Sequence, residues 1–273
     1  MSTVYPFPKV QSERASEIVL ALHGSASSPA QWKAYPNLMP AGIRLVAPEL
    51  MGYQTGSTWP SGVPVSLDAE ARRLAPLLAH GNGGVHLVGH SYGGAVALQL
   101  ALRWPELVRS LTLFEPVRFG LLLGDKENEA IGQAMVRVGR TIGFLALSGT
   151  LQDAAAMFVD FWSGSGSWAR LGDKRRQTIS GHMHKVRSEF EALFADKIPA
   201  ASYAALRMPM RLITGDRSPL PARKVVDLLA RQCEHAEVIR LPGVGHMGPI
   251  THPEVVARHL PFVYRSHSQA QAA

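Results

Sequence analysis

Covalent cross-links and metal clusters are the first features that this sequence excludes. Its 273 residues contain one cysteine, Cys233, so neither an internal disulfide nor a thiolate metal site can form within the chain. No H-E-x-x-H metal-binding motif is present, and no glycine fingerprint opens a strand-helix-strand unit that could hold a dinucleotide. We therefore expect no metal ion and no organic cofactor, and we expect Cys233 to be a buried, inert thiol.

Long apolar runs are also missing. No stretch approaches the roughly 18 consecutive apolar residues that a membrane-crossing helix needs. Residues 1–17 mix prolines with charges and lack the order of a signal peptide, in which an apolar region follows a basic one. We expect a cytoplasmic protein with no membrane contact.

The net charge of +7 is dispersed along the chain and does not form one basic patch. Its densest group, Lys174-Arg175-Arg176, lies at the start of a helical pattern, where we expect a solvated helix face. Nothing in the sequence resembles a recognised nucleic-acid-binding module. The expected partner is a small-molecule substrate and not a nucleic acid.

Short apolar runs alternate with longer helical patterns, which is typical of a mainly parallel sheet with helices on both faces. In such an α/β fold the functional residues gather in the loops at the carboxyl ends of the strands. The predicted strands cover residues 18–22, 43–47, 85–88, 110–114, 210–214 and 237–241, and the predicted helices cover residues 67–79, 93–103, 225–231 and 253–263.

The chain between the fourth and fifth predicted strands is too long for an ordinary crossover. Within it, residues 129–194 show several amphipathic helical patterns, and four aromatic residues at positions 158–168 could line a pocket or pack against the core. This composition predicts a helical cap inserted after the fourth predicted strand, which is the strand that follows the predicted helix of residues 93–103. We predict an α/β core of residues 1–116 and 208–265, a helical cap of residues 117–207 and a disordered tail of residues 266–273.

A nucleophile motif follows the third predicted strand. The run Gly89-His90-Ser91-Tyr92-Gly93-Gly94 matches G-x-S-x-G, with an apolar strand before it and an alanine-rich helix after it. A tight turn of this kind holds the serine in a strained conformation, and its glycines let strand and helix approach without Cβ clashes. The motif predicts that Ser91 is a nucleophile whose hydroxyl projects into a site.

Two backbone amides are candidates for an oxyanion hole. The start of the helix directs the N–H of Tyr92 at the reacting oxygen. A second donor is expected from the loop after an earlier strand, and His23-Gly24-Ser25-Ala26 follows the first strand. We expect the N–H of Ser25 to be this donor, with that of Ala26 as the alternative. His23 and His90 are expected to shape their loops and not to transfer protons.

The ordered set of His23-Gly24, the motif around Ser91 and Gly243-Val244-Gly245-His246 resembles the α/β-hydrolase superfamily over nearly the whole chain. The resemblance implies the fold of that superfamily. It is closest in kind to the branch with a helical cap, which includes esterases, lipases, carbon-carbon bond hydrolases, epoxide hydrolases and haloalkane dehalogenases. The last two groups use an aspartate nucleophile, so Ser91 argues against both.

His246 is the candidate general base. It lies in a glycine-rich loop after the last predicted strand, and it follows the serine in the order that the superfamily shows. A histidine can take a serine proton near neutral pH and then protonate the leaving group. We therefore expect His246 to activate Ser91.

The acid that orients the histidine departs from the family pattern. After the fifth strand the superfamily usually has G-x-x-D, whereas this chain has Gly215-Asp216-Arg217-Ser218, with a serine at the acid position. Asp216 remains possible, although an aspartate at that point is often a turn residue. Glu115 follows the fourth predicted strand, and some superfamily members, including certain lipases, carry their acid there. We favour Glu115 as the triad acid and keep Asp216 as the alternative.

The predicted reaction is the hydrolysis of an ester or a related carbonyl substrate through an acyl-enzyme on Ser91. A carbon-carbon bond hydrolase, a lactonase or a perhydrolase would use the same residues. A ligand receptor that keeps the triad but turns over slowly is the alternative from another class, and the missing aspartate gives it weight.

Overall fold

The fold is built on a six-stranded parallel sheet. The computed structural model describes residues 17–53, 65–81 and 83–260. The strands are β1 (Glu17–Leu22), β2 (Ile43–Val46), β3 (Val85–His90), β4 (Val108–Phe114), β5 (Met210–Gly215) and β6 (Glu237–Leu241). They lie in the order β2-β1-β3-β4-β5-β6, and each neighbouring pair is parallel.

Both faces of the sheet are covered. Along β1, Leu20 and Leu22 belong to the larger apolar cluster, whereas Val19 and Ala21 belong to a second cluster. Successive side chains of a strand point to opposite faces, so these two clusters are the two faces of the sheet. A strand buried on both faces needs an apolar run, which is why the central strands stand out in the sequence.

Helices follow the strands in most of the chain. They are α1 (Leu67–Leu78), α2 (Tyr92–Arg103), α3 (Gly120–Leu123), α4 (Glu129–Leu147), α5 (Leu151–Ser163), α6 (Asp173–Gly181), α7 (Met183–Ala195), α8 (Leu220–Gln232), α9 (Gly248–Thr251) and α10 (Pro253–Ala257). The hydroxyl of Ser66 caps α1 by accepting the N–H of Ala69. Leu67, Ala71 and Leu74 share the buried face of that helix, at the spacing of helical turns.

The chain between β4 and β5 carries helices α3 to α7, which we name the helical segment. Its helices pack on one another, with α4 against both α5 and α7. Phe119, before α3, stacks with Trp162 of α5 and Phe190 of α7, so aromatic rings join the segment to the end of β4. In the part of the chain that the structure describes, no helix has the length and apolar character needed to cross a membrane.

The α/β fold expected from the sequence is confirmed. All six predicted strands are present, and their ends differ from the prediction by at most two residues. The helix predicted at 225–231 begins earlier, at Leu220, because a proline in a first helical turn favours helix initiation. The helix predicted from 253 ends at Ala257, its predicted end at 263 lies outside the described residues, and so does the tail of residues 266–273.

Candidate active site

Ser91 lies at the junction of β3 and α2 in a strained backbone conformation. Its φ is 54° and its ψ is −121°, a region that non-glycine residues rarely adopt. Tight packing holds it there, since a Cβ at Gly89 would lie 2.6 Å from Cα of Gly94, and one at Gly93 would lie 2.4 Å from the carbonyl oxygen of His23. The sequence motif therefore corresponds to a physical requirement for glycine on both sides of the serine.

His246 comes from the loop after β6 and is buried. Its Nε2 lies 3.0 Å from Oγ of Ser91. Its Nδ1 lies 2.6 Å from Oε2 of Glu115, so Nδ1 carries a proton and Nε2 is left to accept the serine hydroxyl. The structure thus brings Ser91, His246 and Glu115 into one hydrogen-bonded chain.

Glu115 directly follows β4 and is completely buried. Its φ of 47° is also in the left-handed region, which makes it one of three strained non-glycine residues among those described, with Ser91 and Ala26. The second carboxylate oxygen, Oε1, accepts the hydroxyl of Thr214 at 2.7 Å and the N–H of Gly215 at 2.8 Å. Three donors therefore fix the orientation of this carboxylate.

The surroundings of Glu115 favour its charged form. Burial alone would raise the pKa of Glu115, but its hydrogen bond to His246, the charge of His246 and the N–H of Gly215 bring that pKa below its usual value. Ser218, at the position where the superfamily has its aspartate, is buried beside the same carboxylate. The carboxylate of Glu115, which follows β4, thus lies next to the position after β5 where the superfamily has its aspartate.

Asp216, the alternative acid, makes a different contact. Its carboxylate is exposed and accepts the N–H of Gly243 at 2.8 Å, in the turn after β6. In the described part of the chain, Asp216 forms neither a hydrogen bond nor an ion pair with His246. Its geometry is that of a turn residue.

The two other histidines near Ser91 are buried and hold loops. Burial lowers the pKa of His23 to about 4, and its ring accepts the N–H of Leu50 at 3.1 Å. Burial, with the neighbouring charge of His246, also holds the pKa of His90 well below its usual value. Nε2 of His90 donates to the carbonyl oxygen of His246 at 2.9 Å, so this neutral ring fixes the backbone that carries the candidate base.

The amides expected in an oxyanion hole differ in their partners. Among the described residues, the N–H groups of Tyr92 and Ser25 have no hydrogen-bond acceptor. The N–H of Ala26, the alternative to Ser25, donates to the hydroxyl of Tyr53 at 2.9 Å. Tyr92 and Ser25 therefore keep free donors, while the amide of Ala26 is engaged.

Aromatic side chains of α5 reach this site. The indole of Trp162 stacks on the ring of His246, with 4.1 Å between ring centroids and 29° between ring planes. A small cavity of about 30 Å³ lies beside Ser91, and Phe158, Trp162 and Met247 are among its lining residues. In the described residues, no group of three or more histidine, cysteine, aspartate or glutamate side chains could hold a metal ion.

In the sequence, Trp162 stands out only as one of several aromatics near position 160. No sequence pattern marks Tyr53, Gln31 or Lys185. The amide oxygen of Gln31 accepts the N–H of Gly24 at 3.2 Å, and the hydroxyl of Tyr53 accepts the N–H of Ala26 in the same loop. The first contact joins residues 7 positions apart and the second joins residues 27 positions apart, and no local pattern marks either of them.

The parallel sheet, with a serine and a histidine hydrogen-bonded at its carboxyl edge, has the architecture of an α/β hydrolase. The model of the alpha/beta hydrolase family matches residues 18–259, so this chain belongs to that family of hydrolases. It is 29% identical over 248 residues to the pimeloyl-[acyl-carrier protein] methyl ester esterase of Aromatoleum aromaticum, covering 86% of this chain and 93% of that protein.

A second relative and a solved structure agree with this assignment. The chain is 32% identical over 265 residues to monoacylglycerol lipase ABHD6 of Bos taurus, covering 92% of this chain and 76% of that protein. MenH from S. aureus aligns with a TM-score of 0.75 at 15% identity, covering 97% of this chain and all of that one. At that identity the structural likeness supports the fold alone.

Proposed function

We propose that this hydrolase cleaves carboxylic esters by transferring the acyl group first to Ser91 and then to water. The observation that carries the proposal is the unbroken chain of hydrogen bonds from Glu115 through His246 to the hydroxyl of Ser91. The esterase and lipase names of two relatives support the same reaction class. Glu115 is the proposed triad acid, and Asp216 is assigned to the turn.

In the first step, the oxygen of Ser91 attacks the ester carbonyl while Nε2 of His246 takes its proton. The charged carboxylate of Glu115 stabilises the imidazolium that forms and holds its tautomer. The N–H groups of Tyr92 and Ser25 donate to the oxyanion of the tetrahedral intermediate. His246 then protonates the alcohol, which leaves, and the acyl group stays on Ser91.

In the second step, a water molecule takes the place of the alcohol. His246 removes a proton from this water, the resulting hydroxide attacks the acyl carbonyl, and the same two amides hold the second oxyanion. Collapse of this intermediate breaks the bond to Ser91 Oγ, which recovers its proton from His246. The cycle uses only this chain's groups, the ester and water.

The helical segment is the proposed cap, with the core in residues 1–116 and 208–265 and the cap in residues 117–207. Support comes from Phe158 and Trp162, which belong to the segment and line the cavity at Ser91. Apolar rings at this position favour an apolar acyl or alcohol group in the substrate. We propose a small-molecule ester with such a group as the substrate.

The test is the steady-state rate on p-nitrophenyl esters of increasing acyl length, for the parent enzyme and for Ser91→Ala. We expect multiple turnovers in the parent and a rate lower by at least about 10³-fold in the variant, because the nucleophile is absent. Asp216→Asn is the matched control and should keep the parent rate. At most one turnover on every ester would instead favour carbon-carbon bond hydrolysis or slow ligand reception.

The cytoplasmic location and the absence of nucleic-acid binding remain predictions of the sequence. Fractionation of cells that express the full chain tests the first. A gel-shift titration at moderate salt tests the second, and we expect no shift.

A further inference from the structure

A cluster of charged side chains is buried outside the Ser91 site, between the core and the helical segment. Nζ of Lys185 on α7 lies 2.9 Å from Oε1 of Glu70 on α1 and 3.0 Å from Oε1 of Glu189, one turn further along α7. The exposed fractions are 8% for Lys185, 0% for Glu70 and 1% for Glu189. One buried cation thus joins two buried carboxylates from different parts of the fold.

This cluster is costly to bury. Desolvation raises the pKa of Glu70 although Lys185 lies beside it, and the pKa of Lys185 is raised because the two carboxylates outweigh its own burial. Buried ion pairs seldom stabilise a fold more than well-packed apolar residues would. We therefore expect this cluster to act through the neighbouring groups that it holds in place, and not through a gain in stability.

The cluster continues into the loop that carries the proposed oxyanion donor Ser25. Oε1 of Glu189 accepts the hydroxyl of Tyr53 at 2.8 Å, and the oxygen of Tyr53 accepts the N–H of Ala26 at 2.9 Å. Tyr53 is buried, and burial together with Glu189 holds its pKa well above the usual value. Its hydroxyl therefore stays protonated, donates to Glu189 and offers its lone pair to Ala26.

Ala26 needs such an anchor. Its φ of 52° is in the left-handed region, where a non-glycine residue is strained. The hydrogen bond to Tyr53 supports this conformation, and with it the direction of the neighbouring amide of Ser25. The bond also keeps the amide of Ala26 from turning into the site.

The same lysine reaches the other side of the oxyanion hole. Nζ of Lys185 lies 4.9 Å from the ring centroid of Tyr92 and 5.4 Å from that of Tyr53. These are cation–π distances, and in a buried site such contacts are strong. The loop of Ser25, through Tyr53, and the start of α2, through the ring of Tyr92, are therefore both in contact with side chains of α7.

We infer that Tyr53 is a positioning residue that sets the oxyanion hole by holding the amide of Ala26, and that Glu189 and Lys185 tie this hole to the helical segment. The inference rests on the proposed function. In chemical terms, the network acts on the tetrahedral oxyanion and not on the binding of the ester itself.

The experiment compares Tyr53→Phe with the parent on the best p-nitrophenyl ester, measuring kcat and KM separately. It also measures inhibition by a trifluoromethyl ketone with the same acyl chain, which forms a tetrahedral adduct with an oxyanion. We expect kcat to fall by about 10- to 100-fold, since the loss of an oxyanion donor itself costs about 10²–10³-fold. KM should change by less than about threefold, and the ketone should bind more weakly by the factor lost in kcat/KM.

Two controls make the result decisive. Tyr203→Phe removes a buried tyrosine hydroxyl outside this network and should leave kcat and ketone affinity unchanged. Glu189→Gln keeps a hydrogen-bonding group beside Tyr53 and should retain most of the activity that Tyr53→Phe loses. The inference is overturned if Tyr53→Phe keeps the parent kcat and ketone affinity, or if it changes KM alone.

Ser91→Ala separates this inference from the proposed function. If Ser91→Ala abolishes turnover while Tyr53→Phe behaves as the parent, only the positioning role fails. If Ser91→Ala keeps the parent rate, the proposed function fails, and the positioning role fails with it.

Discussion

The sheet edge and the helical segment contribute to the same site in different ways. At the sheet edge, Ser91, Glu115 and His246 each directly follow a strand or lie in the loop after one, and local sequence patterns mark their positions. From the helical segment, Trp162 and Lys185 reach the site through contacts between residues far apart in the chain. The residues proposed for catalysis can thus be located from local sequence patterns, whereas the residues that support them are identified only from the tertiary packing.

The largest expected effect concerns the acid at the sheet edge. Glu115→Gln should lower kcat by about 10³–10⁴-fold, because the amide no longer stabilises the imidazolium and can select the wrong tautomer of His246. Asp216→Asn should stay within about threefold of the parent, since its carboxylate serves a turn. Steady-state kinetics on both purified variants, with circular dichroism to verify folding, make the measurement. Equal losses in the two variants would contradict the assignment.

A double variant sharpens this comparison further. Ser218 is buried beside the carboxylate of Glu115, so Glu115→Ala combined with Ser218→Asp moves the acid to the family position. We expect the double variant to be at least about tenfold faster than Glu115→Ala alone, since a charge near His246 is worth several kcal/mol in a triad. A double variant no faster than the single one would show that only the β4 position can orient His246.

The next effect concerns the buried charges of the helical segment. Lys185→Met leaves Glu70 and Glu189 without their cation, and we expect a loss of about 3–5 kcal/mol in the free energy of unfolding at neutral pH. The pKa of Glu70 is already raised in the folded state, so its protonation favours folding, and the loss should shrink as the pH falls through that raised pKa. Urea unfolding of the parent and the variant at a series of pH values measures this loss in the free energy of unfolding.

Lys174→Met on α6 is the control for this variant. Lys174 is exposed, so its replacement should change the free energy of unfolding by less than about 0.5 kcal/mol at every pH. A Lys185→Met variant as stable as this control at neutral pH would mean that the two carboxylates do not depend on the lysine.

The smallest effect concerns the ring that the helical segment places on the candidate base. Trp162→Leu removes the stacking on His246, and we expect kcat/KM to fall by about 3- to 30-fold, the range of a cation–π contact with the imidazolium. Trp168→Leu is the matched control, because Trp168 is half-buried in the connection between α5 and α6. Similar losses in both variants would indicate that the stacking has no part in the reaction.

Much of the fold could be predicted because its signals are local. The apolar runs of β1 and β3 and the glycines around Ser91 follow from burial on both faces and from the close approach of strand and helix. The residues proposed for catalysis were also predicted, and their roles remain predictions until kinetics test them. For Glu115, the signal was only that a carboxylate directly follows β4 while the usual acid position of the family, after β5, holds Ser218.

The contacts of Lys185 and Tyr53 could not be predicted for a physical reason. Lys185 and Glu189, four residues apart on a helix, have the spacing of an exposed ion pair, and only packing against α1 makes them a buried cluster. Tyr53 lies in a loop without a motif, and its partners are residues 26 and 189. Burial of polar groups becomes visible only when the tertiary partners are known.

The central claim, that Ser91 is acylated during turnover, is tested most directly by the mass of the intact protein after reaction with a fluorophosphonate. We predict one phosphonyl group per chain, located on Ser91 by peptide mapping, and loss of ester hydrolysis in proportion to labelling. Ser91→Ala should remain unlabelled. A parent that hydrolyses esters at full rate while Ser91 stays unmodified, or a label on another residue that inactivates it, would contradict the claim.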